Sequence, residues 1–190
     1  YKMMGQVEHC HERPDMYVGN TNEESIRMFL PDENHRFTEQ TVFFSPALGK
    51  IADEVLVNAF DNIQRGTKRI DISIHGEKIT VKNDGGTVPV VKHAEHNMYV
   101  PTMVFGHILT GENYDDSQKR LGGGRNGWGA KLTNIFSSEF QIRCVDSKNS
   151  LQLTQTWTNN MGNTDGPKVL KTQLKRDFTE VSFVPDWKRF

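Results

Sequence analysis

LGGGRNGWGAKLTN, residues 121–134, is the stretch on which the reading of this chain turns. Glycine stands at 122, 123, 124, 127 and 129, and helix-compatible residues follow without a break. Glycine at that density lets the backbone enter positive φ and lets a ligand reach bare N–H groups. A helix start behind it adds a positive dipole end, and Lys131 adds a fixed charge. Together they read as a cradle for a chain of phosphates, the alternative being a flexible surface hinge. Two familiar nucleotide folds are excluded here. Gly122, Gly124 and Gly127 satisfy GxGxxG, but residues 112–120 are polar and turn-like where the dinucleotide fold needs a buried strand. Gly124 and Gly129 are followed by Ala130 and Lys131, so no Ser or Thr stands after a Gly-Lys pair to meet a metal ion, as the phosphate-loop pattern requires.

Outward from that loop, Ser45 and Pro46 predict an N-cap and first helical position for a helix running to about residue 65. Leu48, Ala52, Val55, Ala59 and Ile63 recur at helical spacing and are expected to face the core. Residues 69–75 and 78–83 read as strands of a hairpin turned by His75-Gly76-Glu77. Residues 5–20 read as turn-rich, Arg13-Pro14-Asp15 breaking any helix, and residues 40–44 as a short strand. A second helix is expected over 101–109 and a third from the glycine loop to about 136. Residues 140–145, 150–157, 168–173 and 180–184 alternate like antiparallel strands. The predicted fold is α+β, a two-layer sandwich with a mostly antiparallel mixed sheet and helices on one face.

With 190 residues the chain is long enough for one domain with a full core, and its hydrophobic fraction of 35% does not signal disorder. A formal net charge of −1 leaves no global footprint for nucleic acid. No apolar run is long enough to suggest a membrane span. Cys10 and Cys144 are too few for a zinc or disulfide framework. The chain reads as a fragment of a longer protein, opening without an initiator Met. The histidines at 9, 11, 93, 96 and 107 lack the spacing of a complete zinc site.

Two further segments carry chemistry. Glu54, Asn58, Asp61 and Asn62 fall at i, i+4, i+7 and i+8, one stripe of the predicted helix. An Asn oxygen is a neutral hard ligand suited to Mg²⁺, and a carboxylate one turn away can hold a water. A solvated polar face is the other reading. Asn83-Asp84-Gly85-Gly86-Thr87-Val88-Pro89 ends a strand with polar groups that can bond a base amine and apolar groups that can wall a ring. An ordinary turn is the alternative.

ExxxNAxDN, then NDGG, then GGGRNGWGAK in this order resembles the GHKL (Bergerat-fold) ATPase superfamily. More closely, the chain resembles the ATPase region of eukaryotic-type type IIA DNA topoisomerases. Arg13-Pro14-Asp15-Met16-Tyr17-Val18-Gly19 is similar to that family's entry motif, and Asp53-Glu54-Val55-Leu56-Val57-Asn58-Ala59 to its first ATP-binding motif. Met98-Tyr99-Val100-Pro101, Leu109-Thr110 with Asn113-Tyr114-Asp115-Asp116, and Gln155-Thr156-Trp157 with Asn160-Met161-Gly162 carry the likeness over nearly the whole chain.

The resemblance implies a single ATP-binding domain over residues 1–190, the transducer and DNA-cleavage domains lying elsewhere. It implies Glu54 as the catalytic general base, Asn58 as the Mg²⁺ ligand, and Asn62 and Asn113 as nucleotide contacts. It gives Asn83 and Thr179 to the adenine amine, and Val88, Pro89, Val104 and Phe105 to the ring. Gly124, Arg125, Asn126, Gly127, Trp128, Gly129, Ala130 and Lys131 would wrap the phosphates, and residues 111–124 would form a lid. ATP and Mg²⁺ are the implied cofactors. A second copy of the chain and, through other domains, DNA are the implied partners, in the nucleus and with no membrane. The implied function is an ATP-driven gate for double-strand passage; because the family completes its hydrolytic site from outside this region, the chain alone is expected to bind ATP and turn it over slowly. A nucleotide-dependent clamp of the same superfamily, of chaperone or mismatch-repair type, is the alternative, with a histidine-kinase catalytic domain behind it. Two departures stand out. Gly86-Thr87 shifts the second glycine of the NxGxG turn, and Gly111-Glu112 replaces small hydroxyl residues before Asn113.

Overall fold

Ser45 caps the longest helix as its sequence predicts, its Oγ accepting the Leu48 N–H at 3.3 Å. In the computed structural model, which describes residues 3–108 and 128–190, the chain forms two compact units, residues 1–50 with 187–190 and residues 51–186. In the first, helix α1 (Gln6–Glu12) and a 3₁₀ turn at Pro14–Met16 precede strands β1 (Glu24–Pro31) and β2 (Phe37–Phe44). These strands pair antiparallel from Glu24 opposite Phe44 to Pro31 opposite Phe37. Asp32 closes their turn by accepting the N–H groups of Asn34 and Arg36. Neither α1 nor β1 is expected from the sequence. α1 buries a single side chain, Cys10, so it has no apolar period to read. In β1 the alternation of Ile26, Met28 and Leu30 is obscured by the exposed Phe29 between them.

Helix α2 spans Pro46–Asp61 and tightens into a 3₁₀ turn, Asn62–Arg65, that ends on Gly66 at φ +92°. Its buried stripe is Ala47, Ile51, Val55 and Ala59, one residue out from the predicted register at its start. Ile63 is 48% exposed instead of in the core. The 3₁₀ winding after Asp61 turns that side chain off the stripe.

The second unit is built on a seven-stranded sheet. Its strands are β3 (Ile70–His75), β4 (Lys78–Asp84), β5 (Ser137–Asp146), β6 (Leu151–Thr158), β7 (Asn163–Thr164), β8 (Lys168–Lys171) and β9 (Phe178–Pro185). The order is β3-β4-β9-β5-β6-β7, with β8 also on β6, and every pairing among the described strands is antiparallel. The hairpin turns at Gly76-Glu77, as predicted, with Gly76 at φ +59°. Helix α3 (Val100–Gly106) is shorter than expected, and α4 (Gly129–Ile135) starts at the last glycine of the loop.

Register stacks the side chains of one sheet face into rows. Ile79, Phe183, Phe140 and Trp157 form one; Val81, Val181, Ile142 and Gln155 the next; Asn83, Thr179, Cys144 and Leu153 the third. Three of the four side chains in the first row are aromatic. Phe140 meets Trp157 edge to face at 6.0 Å and Phe105 of α3 at 6.4 Å. Gly106 lets α3 close on Trp157, since a Cβ there would sit 2.6 Å from the indole. In α4 every side chain from Ala130 to Ile135 is buried.

Candidate functional site

Glu54 and Asn58 stand one turn apart on α2, and the first residue of α4 lies against both. A Cβ added at Gly129 would be 2.6 Å from Glu54 Oε2 and 3.5 Å from Asn58 Nδ2. A side chain there would have to displace the Glu54 carboxylate, so glycine brings the helix start directly against a carboxylate and a carboxamide. The two helices are locked by Thr133, whose hydroxyl donates to the Ile51 carbonyl at 2.7 Å. The Asn58 side chain is exposed and makes no hydrogen bond among the described residues, which leaves its oxygen to a ligand. Lys131, only 3% exposed, has its ammonium pushed down to about 8 by burial. Trp128 is half-buried and Ala130 buried at the same helix start.

The other wall is the end of β4, and Thr67 organises it. The Thr67 hydroxyl donates to the Asp84 carbonyl at 2.6 Å and accepts from Asn62 Nδ2 at 2.9 Å and Asn83 Nδ2 at 3.4 Å. Asn62 also donates to the Gly86 carbonyl at 2.9 Å, tying the end of α2 to the NDGGT turn. Both amide protons of Asn62 are thus spent inside the protein, and only its Oδ1 is left to meet a ligand. Asn83 is 5% exposed and donates its second proton to the Asp84 carbonyl at 3.0 Å. A carbonyl only accepts, so this fixes the amide orientation, and Oδ1 has no hydrogen bond among the described residues.

Gly85 takes φ +86°, and a Cβ there would be 2.4 Å from the Thr67 backbone nitrogen. Asp84 Oδ1 accepts the Lys68 and Arg69 N–H groups at 2.7 and 2.8 Å, which lowers its carboxyl below the ordinary value. Beyond the turn, Thr87 is buried with its hydroxyl 2.8 Å from that of Thr179, the cross-strand neighbour of Asn83. Asp146 anchors the next residues by accepting the Val90 N–H at 2.8 Å. Burial would raise its carboxyl, but bonds from Asn149 and Val90 hold it below the ordinary value.

The expected ring contacts divide. Val88 and Val104 are half-buried, Pro89 is exposed, and the Phe105 ring is in the core against Phe140. Asn113, Gly124, Arg125, Asn126, Gly127 and the expected lid over 111–124 lie outside the described residues. Thr67 and Asp146 are positioning residues that sequence reasoning misses. Their partners come from other strands and turns, so no local pattern marks them. His93, Glu95 and His96 do bring three metal-type ligand atoms within 4.8 Å on the surface, the carboxylate joining the two histidines noted in the sequence. His93 Nδ1, however, accepts the Glu95 N–H at 3.3 Å.

Comparison with known proteins bears on the same residues. The chain is 46% identical over 182 residues to a probable DNA topoisomerase 2 of Dictyostelium discoideum, covering 94% of this chain and 12% of that protein. It is 44% identical over 195 residues to DNA topoisomerase 2 of Saccharomyces cerevisiae, covering 100% of this chain and 14% of that one. The crystal structure of the ATPase region of the yeast topoisomerase II superposes with a TM-score of 0.96 at 43% identity, covering 100% of this chain and 51% of the other. The chain belongs to the eukaryotic DNA topoisomerase 2 family, in its ATPase region. It has the GHKL ATPase fold of that region, α+β with antiparallel sheets. No family model matches the chain. It spans about an eighth to a seventh of its curated relatives. Among the described residues no helix is long and apolar enough to cross a membrane.

Proposed function

We propose that residues 1–190 form one ATP-binding and hydrolysing gate domain of a longer type IIA DNA topoisomerase, a nuclear homodimer that changes DNA topology by double-strand passage. The observation that carries this reading is Gly129 pressed against both Glu54 and Asn58, with buried Lys131 two residues on. It supports a ligand with several negative charges beside an uncommitted amide oxygen, which fits a triphosphate with Mg²⁺. In this reading Asn58 holds Mg²⁺, whose chemistry there is to neutralise phosphate charge. Lys131 sets a cation against the phosphates, and it gains its full charge when they enter. Glu54 orients a water and takes its proton. Asn83 Oδ1 accepts from the adenine amine, with Thr179 beside it and Val88, Pro89 and Val104 lending apolar surface around the ring, backed by Phe105 from the core. Asn62 and Asn113 make further nucleotide contacts, and residues 124–131 wrap the phosphates. DNA is engaged by other domains and a second copy completes the gate.

The clamp alternative is not favoured, because the likeness to topoisomerase 2 runs the length of the chain. The test is Glu54→Gln. Phosphate release by the full-length protein falls at least about a hundredfold while binding of a non-hydrolysable ATP analogue stays within about threefold. Unchanged phosphate release removes Glu54 from its role.

A further inference from the structure

Asn159, Asn160 and Met161 all take left-handed backbone, at φ +53°, +55° and +66°, in the turn after β6. A single such residue that is not glycine is uncommon, and a run ending on a side chain as large as methionine is strained, so its surroundings must hold it there. The turn meets the far end of α4. Ile135 and Phe136 are fully buried, and the carbonyls at a helix C-terminus find no partner within the helix. Asn160 Nδ2 donates to the Ile135 carbonyl at 3.0 Å and to Asp186 Oδ2 at 3.1 Å, and the Asp186 N–H donates to the Phe136 carbonyl at 2.9 Å. Carbonyl and carboxylate both accept, so both amide protons are spent and the amide orientation is fixed. The Asn160 and Asn159 N–H groups donate in turn to the Ser137 and Ser138 carbonyls, each at 3.1 Å.

We propose that Asn160 is a positioning residue for the phosphate side of the nucleotide site: from its left-handed turn it ties down the buried end of α4 and so sets where Gly129 and Lys131 stand against Glu54 and Asn58. α4 has only seven residues, a rigid rod of about 10 Å, so a shift at Ile135 reaches Gly129 undiminished. The tolerance there is small, because a Cβ on Gly129 would already be 2.6 Å from Glu54 Oε2. The end of β4 is held by a separate set of bonds, from Asn62 and Asn83 to Thr67 and from Thr67 to Asp84, so the base side does not depend on Asn160. The proposal rests on the nucleotide reading given above.

The test is titration of this chain, well below its unfolding transition, with a non-hydrolysable ATP analogue plus Mg²⁺ and separately with adenosine, for the unsubstituted protein, Asn160→Gly and Met161→Gly. Glycine at 160 accepts the left-handed backbone and deletes only the amide. Asn160→Gly holds the analogue at least about tenfold more weakly, while its affinity for adenosine, which has no phosphates, stays within about twofold. Met161→Gly relieves the strain, leaves the amide in place and keeps both affinities. Asp186→Ala, which releases the other end of the amide, repeats the selective loss at about threefold and decides the matter if Asn160→Gly does not fold. Equal weakening of both compounds assigns Asn160 a structural role alone and overturns the proposal, as does an unchanged analogue affinity, or a loss in Met161→Gly that matches the one in Asn160→Gly. If the unsubstituted chain binds neither compound, the nucleotide reading falls and takes this one with it. If it binds both and Asn160→Gly binds them equally well, only the role of Asn160 falls.

Discussion

Ile79, Phe183, Phe140 and Trp157 cross the same sheet face as Asn83, Thr179, Cys144 and Leu153, two rows apart. One row is entirely apolar and meets α3 through Phe105 and Gly106. In the other, three of the four side chains carry polar atoms, and two of these bond outside the row, Asn83 to Thr67 and Thr179 to Thr87 in the turn after β4. A single pleated surface therefore changes from carbon toward oxygen at its β4 and β9 end, where Asn83 and Thr179 stand beside the turn after β4. Burial stabilises the first row. Burial in the second costs free energy unless partners are supplied, and Thr67, Thr87 and Asp84 supply them.

The largest effect separating the two regions is expected at Phe140. Phe140→Ala lowers the free energy of unfolding by about 3–5 kcal/mol in urea denaturation, and the protein that remains folded keeps its affinity for a non-hydrolysable ATP analogue. Gly85→Ala comes next. The left-handed φ and the contact with Thr67 destabilise the chain by about 1–3 kcal/mol, and because the same turn carries Asn83 and Thr87, analogue affinity falls in the folded fraction. An unaltered affinity there would detach the turn from the site.

Lys131 breaks the comparison in the opposite direction. Lys131→Met keeps an unbranched apolar stem in the same buried place and removes the cation proposed to meet the phosphates, so the fold remains while analogue binding is lost. Its titration gives the smallest and most specific effect. Burial lowers the folded-state value from 10.5 to about 8, so the buried ammonium costs stability below pH 8. That cost fades as pH rises from 8 to 10.5, and the ligand-free chain gains stability relative to Lys131→Met over that window. Analogue binding must restore the proton, so affinity falls by up to about tenfold per pH unit above 8. A flat profile contradicts the assignment.

What the sequence makes legible follows from how local each feature is. The cap at Ser45, the turn at Gly76 and the strands that alternate cleanly rest on neighbours in the chain, and they are found where the pattern puts them. The stripe carrying Glu54 and Asn58 is legible for the same reason. Ile63 misleads because a helical period does not register the change to 3₁₀ winding at Asn62. α1 escapes because it buries only Cys10. Thr67 has no signal of its own. Its three partners come from the 3₁₀ turn after α2 and from the end of β4, and only the fold brings them to one hydroxyl. Asn62 shows the converse: its spacing marks it for a ligand, yet its amide holds two pieces of the protein together.

The convergence of Glu54, Asn58, Asn83 and Lys131 on one nucleotide is tested most directly by thermal unfolding of this chain with a non-hydrolysable ATP analogue, with and without Mg²⁺. At a hundred times its dissociation constant the analogue with Mg²⁺ stabilises the chain by about 2.7 kcal/mol, the effect shrinks without the metal ion, and it vanishes in Lys131→Met. An unfolding temperature that does not move at millimolar analogue with Mg²⁺, or that moves equally in Lys131→Met, contradicts a shared site.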